Sequence, residues 1–584
     1  MHMPLTKCTG LALFGVLLVA IGLRASHLGD DCFDCDELYA VRLNGISPQI
    51  IASVMVRDGF HTNHPPLMTV PFLPWTAVFG TSEVAVRSLP CLAGILAVIA
   101  VFAFCWLTGH PKAGVFAAAI LAINPLHITY SSEARQYALV VALLATAHVL
   151  FVAVLQTNRR SLVLAYYLVA AWAALTHYFA VPVLLGHTIT ALWFARNVER
   201  IREPASRLVL ALILAGLPYL AWLPVIHFQS QHKWDHLAPL TVSGLIDSLL
   251  DLIGVGCWGS VVGQILALLA IGLLVVGMWA VWEQSLLVTG SRCQHLIPNG
   301  LGWLFIASGV LGGLAFAVAF PRFIQPVAQK TLSNYGYDAS TIENELILLK
   351  QTGLLSLGCL VVGGLMLLAW PSIEKKLTPR EKQENATDQC SSRPRLGTLL
   401  SVLLVVPLLV IGLAGLTGLP FHQTRNLLVL LPVISITWGL AFEKLSHSTV
   451  GLGIVIFSVG GAIASATQYH AVARAFGGNG LQLGMATVDW RGVEQWLTRH
   501  TVTDRVIVLM NRPATDPGLY YLAAFQPVRI TPDAEPPSLP QRIIYIHLTG
   551  NLLSERTRDR LIAQRPLELL ATGEGWELYA SPKS

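Results

Sequence analysis

KCTGLALFGVLLVAIGLRASHLGDDCFDCDELY, residues 7–39, decides how this chain is read. An apolar run from Cys8 to Leu23 is followed at once by Asp30, Asp31, Asp34, Asp36 and Glu37, five carboxylates within eight positions. A bilayer-spanning helix takes about 20 mostly apolar residues, and this run approaches that length. It follows Lys7 and has the look of a signal peptide, yet no small-x-small cleavage site comes after it and many further apolar runs do. It therefore reads as a retained first helix. Carboxylates concentrated where that helix leaves the bilayer point to acid/base chemistry or cation handling at a membrane surface.

The rest of the chain is equally apolar. Of 584 residues, 54% are hydrophobic and 12% charged, and the mean hydropathy is +0.61. Spans fall at about residues 8–23, 88–108, 113–126, 138–156, 162–176, 178–195, 207–225, 260–282, 301–320, 351–370, 398–419, 427–442 and 450–467. That makes about thirteen helices in an all-α polytopic membrane domain. The pair on either side of His177 also reads as one broken hairpin. With a cytoplasmic N-terminus, the loops on that side hold Lys112, Arg159, Arg160, Arg196, Arg200, Arg202, Arg207, Arg292, a cluster running from Lys375 to Arg395, and Lys444. The opposite loops are longer in total and hold fewer cations, Arg24, Arg87, Arg135 and Arg425 among them. This is the positive-inside bias of a multi-pass protein of the cell membrane. An odd number of crossings puts the C-terminal segment outside, and it leaves the Asn385-Ala386-Thr387 sequon inside, where it has no meaning. The net charge of +5 is small and sits mainly in short loops, so no nucleic-acid partner is expected.

The boundary between domains falls near residue 470. Residues 1–470 form the membrane domain, with residues 24–87 as its first external loop. Residues 471–584 have the composition of a small extracytoplasmic α/β domain. Trp490 to His500 reads as an amphipathic helix, Val506 to Met510 and Arg542 to His547 as strands, Ser554 to Gln564 as a helix, and Trp576 to Tyr579 as a last strand. The stretch Pro532 to Pro540 is a loop, and with no Gly-rich phosphate loop the domain is assigned no chemistry. Three more external segments matter: residues 128–137, residues 226–258 with His227, His232, Trp234 and His236, and residues 321–350 with Tyr335 and Tyr337. Among nine cysteines only Cys32 and Cys35 are a close pair. A loop disulfide, half a metal site and two separate thiols all fit their spacing.

Each chemical signal has a plain alternative. Asp36-Glu37 offers a positioned carboxylate able to act as a general base, or a solvated acidic turn that caps a helix. Asn63-His64-Pro65-Pro66-Leu67 holds a His rigid and extended, where it orients a phosphate or a metal, or it is a structural loop. Glu133 and Arg135, with Tyr137, stand at the mouth of a helix and face a water-filled site, or form an ion pair that anchors the helix end. His177 between two apolar runs is a ligand or a satisfied contact between helices. Arg425 binds a phosphate with both arms of its guanidinium, or snorkels to lipid headgroups. The topology puts all of these on one face of the membrane. Converging there, they make a site for an anionic, phosphate-bearing ligand with a base nearby.

These residues resemble a known family. Asp36-Glu37-Leu38-Tyr39, His64-Pro65-Pro66-Leu67, the stretch Phe79-Gly80 through Glu83 and Arg87 to Pro90, Glu133-Ala134-Arg135-Gln136-Tyr137, Thr176-His177-Tyr178 and Arg425 followed by Pro432 are similar to the bacterial polyprenyl-phosphate-dependent glycosyltransferases of the GT-C fold. That superfamily includes the protein O-mannosyltransferases and the lipid A aminoarabinose transferases. The resemblance implies a sugar donor linked by phosphate to a long isoprenoid, an acceptor hydroxyl on a protein, lipid or glycan, and inversion at the anomeric carbon. It implies that Asp36 is the general base and that Glu37 supports it or holds the acceptor. Arg425, Arg135 and His64 would neutralise the leaving phosphate, and Glu133 would orient Arg135. Some members carry Glu-Lys ahead of the Pro-Pro pair. Here the position reads Asn63-His64, so neither a lysine contact to phosphate nor a carboxylate metal ligand is implied there. No cofactor is required by this reading, and a divalent cation is left open. The competing reading is a proton-coupled secondary transporter, which would place its ionisable residues near the bilayer midplane in broken helices.

Overall fold

The computed structural model describes residues 6–26, 28–41, 47–60, 64–231, 248–249, 252, 272–280, 396–416 and 424–447, and most of 488–581. The expected spans at 301–320, 351–370 and 450–467, most of 260–282, the external segment 321–350 and nearly all of 232–258, Asn385, the Pro532 to Pro540 loop and most of the 554–564 helix lie outside the described residues.

The described membrane domain is helical: α1 (Lys7–Ala25), α2 (Pro48–Phe60), α3 (Phe72–Phe79), α4 (Glu83–Leu107), α5 (Pro111–Ile123), α6 (Pro125–Ser131), α7 (Tyr137–Thr157), α8 (Arg160–Thr176), α9 (Ala180–Asn197), α10 (Arg202–Gly216), α11 (Pro218–Gln231), α12 (Leu396–Leu416) and α13 (Leu431–Leu445). Among the described residues four helices are long and apolar enough to cross a membrane: α1, α4, α7, and α13 taken with the 3₁₀ turn Thr424–Leu430 before it. The protein is therefore multi-pass. Helix α7 is the centre of the bundle and is buried along nearly its whole length. Helix α1 is peripheral and leaves Leu11, Phe14, Leu18, Val19 and Ile21 exposed, as a lipid-facing helix does. Helices α5 and α13 meet at small residues. A Cβ on Gly439 would collide with the Ala113 carbonyl and crowd Ala117, the close backbone approach that small residues permit in membranes.

Two expected spans are broken. The run read as 113–126 bends by 64° between α5 and α6. Asn124 caps the second helix, its side chain accepting from His127 N at 2.9 Å, and Pro125 takes the first helical position. The run read as 207–225 divides at Leu217 and Pro218 into α10 and α11, where proline cannot continue the hydrogen-bond ladder.

The chain passes back and forth. The starts of α4, α7, α9 and α13 and the ends of α1, α5, α8 and α10 gather at one end of the bundle, beside the loop after α1, as contacts among residues next to these ends show. The other end, joined by contacts of His110 with Glu443, Gln156 with Leu107 and Arg207 with Asn158, carries Lys112, Arg159, Arg160, Arg196, Arg200, Arg202 and Lys444 at helix termini.

Past residue 488 the described chain is a mixed α/β unit: α14 (Trp490–Arg499), β1 (Val506–Met510), α15 (Asp516–Tyr521), β2 (Val528–Ile530), β3 (Ile543–Leu548), β4 (Glu568–Gly573) and β5 (Trp576–Ala580). The strand order is β2-β1-β3-β5-β4. Strands β2, β1 and β3 are parallel, and β5 and β4 complete the sheet antiparallel. Period-two alternation sends Ile507, Leu509, Ile544 and Ile546 to one face with Trp490, Val493 and Leu497 of α14. Val508, Ile543 and Tyr545 go to the other face with Leu561.

Candidate active site

The loop between α1 and α4 that carries Asp36 is built around Arg87 at the start of α4. Its Nε donates to Glu37 Oε1 at 2.8 Å and its Nη2 to Glu37 Oε2 at 2.6 Å. The remaining donors go to the carbonyls of Leu28 (3.0 Å), Asp31 (2.8 Å) and Cys32 (3.0 Å). Glu37 Oε1 also accepts from Ala134 N at 2.8 Å, which ties the loop to the α6–α7 connection. Asp34 and Glu37 cap one another: Asp34 Oδ1 accepts from Glu37 N at 2.7 Å, and Glu37 Oε2 from Asp34 N at 3.2 Å. That reciprocal pair opens the 3₁₀ turn Glu37–Ala40. The capping alternative therefore describes Asp34 and Glu37. Burial, then repulsion from Glu37 and Asp36, pushes the Asp34 carboxyl up to about 7.

Asp36 stands outside that reciprocal pair. Its side chain is 35% exposed, and its Oδ2 lies 3.6 Å from Arg135 Nη2 and 3.7 Å from Arg425 Nη1. Arg135 Nη1 also donates to the Asp36 carbonyl at 3.2 Å. The two arginines are more than 280 positions apart in sequence and meet because the 3₁₀ turn carrying Arg425 packs on α7. Both stand over the ring of Tyr137, at 6.0 Å and 5.4 Å from its centroid. Tyr137 is buried and serves as their platform. The His177 ring lies 5.5 Å from Tyr137 and 6.2 Å from His64. His177 is the extended residue between α8 and α9, and its Nδ1 accepts from Phe179 N at 3.2 Å. Burial, then the charges of Arg425 and Arg135, holds its imidazole neutral by pulling it down to about 3. The segment around His64 is fastened from below by Asp58, whose Oδ2 accepts from Thr69 N (2.9 Å) and whose carbonyl accepts from His64 N (3.0 Å). Burial raises the Asp58 carboxyl, offset in part by Arg57 beside it.

Glu133 is buried, and its Oε1 has no hydrogen-bond partner among the described residues. Burial and the neighbouring carboxylates Asp34 and Glu37 raise it well above the usual range. All eight residues singled out from the sequence thus lie in one region. Asp36, Arg135 and Arg425 form its polar centre, Tyr137, His177 and His64 its aromatic wall, and Glu37 its internal tie.

Four features lay beyond the sequence reading. Arg87 read as a loop charge and is the hub of the loop. Arg24 read likewise, but it is wholly buried and closes the end of α5, donating to the carbonyls of Ala122 (2.8 Å) and Leu121 (3.0 Å) with His127 Nδ1 at 2.8 Å. Asp58 was not singled out at all. Inside the bundle, His148, His187 and Tyr166 form a hydrogen-bonded chain, Nδ1 to Nε2 at 2.9 Å and Tyr166 oxygen to Nδ1 at 2.8 Å. Cys32 and Cys35 are not joined by a disulfide in this structure. Among the described residues no group of three or more His, Cys, Asp or Glu is arranged to hold a metal. A divalent ion seeks several oxygen ligands in a negative site, and the exposed carboxylate here faces two guanidiniums.

The fold and this centre define a multi-pass membrane protein with carboxylates and guanidiniums gathered at one face of its bundle. Residues 63–222, a minority of the chain, match the family described as dolichyl-phosphate-mannose-protein mannosyltransferase. That segment includes His64, Arg87, Glu133, Arg135, Tyr137 and His177, and the match supports the resemblance to GT-C glycosyltransferases. Among solved structures, ArnT from Cupriavidus metallidurans bound to undecaprenyl phosphate is similar at 12% identity and a TM-score of 0.42, covering 99% of each chain. The oligosaccharyltransferase AglB from Archaeoglobus fulgidus, in complex with an inhibitory peptide and a dolichol-phosphate, is similar at 13% identity and a TM-score of 0.40. That match covers 90% of this chain and 64% of the archaeal one. No curated protein matches the chain.

Proposed function

We propose that this protein is an inverting membrane glycosyltransferase that moves a sugar from a polyprenyl-phosphate donor to an acceptor hydroxyl at the extracytoplasmic face. The observation that carries the reading is the meeting of Asp36 with Arg135 and Arg425 at one end of a helical bundle. The family match over residues 63–222 supports the donor class. The cations gathered at the other end of the bundle support an extracytoplasmic site, by the positive-inside rule. The transporter alternative has less in its favour, because the charged groups sit at a helix-end face.

Inversion needs one base and one departing group. The acceptor oxygen attacks the anomeric carbon opposite the phosphate, the glycosidic C–O bond breaks, and Asp36 takes the hydroxyl proton. The lipid phosphate leaves with the bonding pair. Arg135 and Arg425, fixed over Tyr137, face the charge that develops on it. They act in a partly buried setting where preorganised cations count for more than in water. Donor binding also tunes the base. Once phosphate oxygens engage the two guanidiniums, those cations turn from Asp36 to the phosphate and leave its carboxylate to the acceptor hydroxyl. His64 and the neutral His177 line the same wall, and Glu133 remains as a buried acid group beside Arg135. Glu37 is a positioning residue for Asp36, its carboxylate already committed to Arg87. No step here is routed through a metal.

Asp36→Asn is the test. It keeps the shape and loses the base, so turnover with a polyprenyl-phosphate sugar should fall by at least about 10²-fold, the ordinary contribution of a general base. Donor binding should persist or tighten. Full turnover in the variant would remove Asp36 as base and with it this mechanism.

A further inference from the structure

The α/β domain rests on the loop that carries Asp36, and its contacts are specific. Arg491 on α14 donates to the carbonyls of Gly29 at 3.0 Å and Asp30 at 2.6 Å, with Glu83 at 3.8 Å. The Tyr521 hydroxyl, at the end of α15, accepts from Phe33 N at 2.8 Å and donates to Glu83 Oε1 at 2.7 Å. Tyr520 meets the Phe33 ring edge-on at 5.9 Å. Cys32 packs into the apolar cluster formed by Trp490 and the sheet. Every residue from Gly29 to Phe33 except Asp31 is therefore touched by the soluble domain. The carbonyls of Asp31 and Cys32 in the same segment hold Arg87, which holds Glu37. Phe33 lies beneath the Arg87 guanidinium at 5.3 Å. Glu83 opens α4 one turn before Arg87, so the domain also grips the helix that bears the hub.

We propose that the α/β domain is a clamp on the catalytic loop, and that Arg491 and Tyr521 are positioning residues for Asp36. They act through the segment 29–33, Arg87 and Glu37, and touch no substrate. A loop of this kind, with little regular structure, would otherwise open locally at low cost. The clamp supplies backbone partners on its outer side while Arg87 supplies them on its inner side. The proposal rests on the reading of Asp36 as the base, and half of its test does not.

The experiment uses the full chain in detergent or nanodiscs, with Tyr521→Phe, Arg491→Ala, Arg491→Lys and the Tyr521→Phe/Arg491→Ala pair. Tyr521→Phe removes one oxygen and leaves the fold of the domain alone. Amide hydrogen exchange of residues 28–41 is followed, with β1, β3 and α7 as internal standards. Loss of these four hydrogen bonds and the Arg491–Glu83 ion pair should speed exchange in 28–41 at least about tenfold in the pair, with the standards unchanged. Turnover with the polyprenyl-phosphate sugar should lose about 10- to 100-fold in kcat with donor KM within about threefold, because a displaced base costs rate rather than ground-state binding. Arg491→Lys should recover part of that loss. If Arg491→Ala also loosens β1 or β3, Tyr521→Phe alone decides. Unchanged exchange at 28–41 overturns the clamp, and faster exchange with unchanged kcat overturns the positioning role. Should Asp36→Asn retain activity, the catalytic reading falls while the exchange measurement still judges the clamp.

Discussion

Replacing Arg87 by alanine should release the loop that carries Asp36 from the bundle. The guanidinium makes five hydrogen bonds, two to Glu37 and three to the carbonyls of Leu28, Asp31 and Cys32, all at 2.6–3.0 Å. Both charged side chains are nearly excluded from solvent, 6% exposed for Arg87 and 3% for Glu37. Removing one partner of such a pair leaves an uncompensated buried charge and costs about 3–5 kcal/mol. The three carbonyls add desolvation costs, of which water filling the truncated space recovers part. A net loss of about 3–5 kcal/mol is expected. Adding Glu37→Gln to Arg87→Ala removes the stranded charge and should return about 1–2 kcal/mol, so the pair is non-additive. Arg87→Lys keeps the charge but not the fork, and should fall between the two. The assay is unfolding of the purified protein in mixed micelles, with turnover alongside. Asp36 directly precedes Glu37, and misplacement by about 1 Å costs on the order of 10²-fold in rate. A loss under about 1 kcal/mol, or equal losses with Glu37 and with Gln at 37, would refute the hub.

Arg135→Ala and Arg425→Ala should each raise donor KM and lower kcat, together by about 10- to 100-fold in kcat/KM for one charge-assisted contact of about 1.5–3 kcal/mol; unchanged kinetics in both would detach them from the phosphate. Asp34 keeps its proton in the fold up to about 7, while an unfolded Asp titrates near 3.9. Its stabilising contribution is thus full below the ordinary range and is lost as pH rises through about 7. The midpoint of thermal unfolding should fall between pH 5 and pH 8, and Asp34→Asn should flatten that slope without abolishing it, since raised Glu133 acts with the same sign; an unaltered slope would contradict the assignment. Gly439→Val drives a side chain into the Ala113 carbonyl and should cost about 1–3 kcal/mol by overpacking, read as a lower unfolding midpoint, whereas a neutral outcome would deny close contact of α5 and α13.

Much of the bundle was legible because lipid imposes a simple rule, and long apolar runs bounded by charge are helices. Within the described residues, α1, α4, α7, α8, α9, α12 and α13 lie where the hydropathy put them, give or take a few positions. The breaks at Asn124-Pro125 and Leu217-Pro218 were missed because hydropathy continues through them and a proline alone does not mark a break, as Pro90 and Pro407 inside α4 and α12 show. In the α/β unit the buried strands β1 and β3 announced themselves as apolar runs. The edge strands did not: β2 has three residues, and β4 is exposed at all but one position. At the site, residue types named Asp36, Arg135 and Arg425, and a consistent topology placed them on one face. What the sequence could not display was which arginines were already spoken for. Arg24 and Arg87 are satisfied largely by main-chain carbonyls, partners that carry no side-chain signature and come from residues up to 98 positions away.

Carboxylate and phosphate seek the same pair of cations here. Asp36 Oδ2 already stands within 3.7 Å of both guanidiniums, so a departing carrier need not strip them bare. On the proposed reading, an internal anion waits at the exit to take back its counterions as the spent lipid withdraws. Exchange of one anion for another lowers the barrier that so often makes product release the slow step of a cycle.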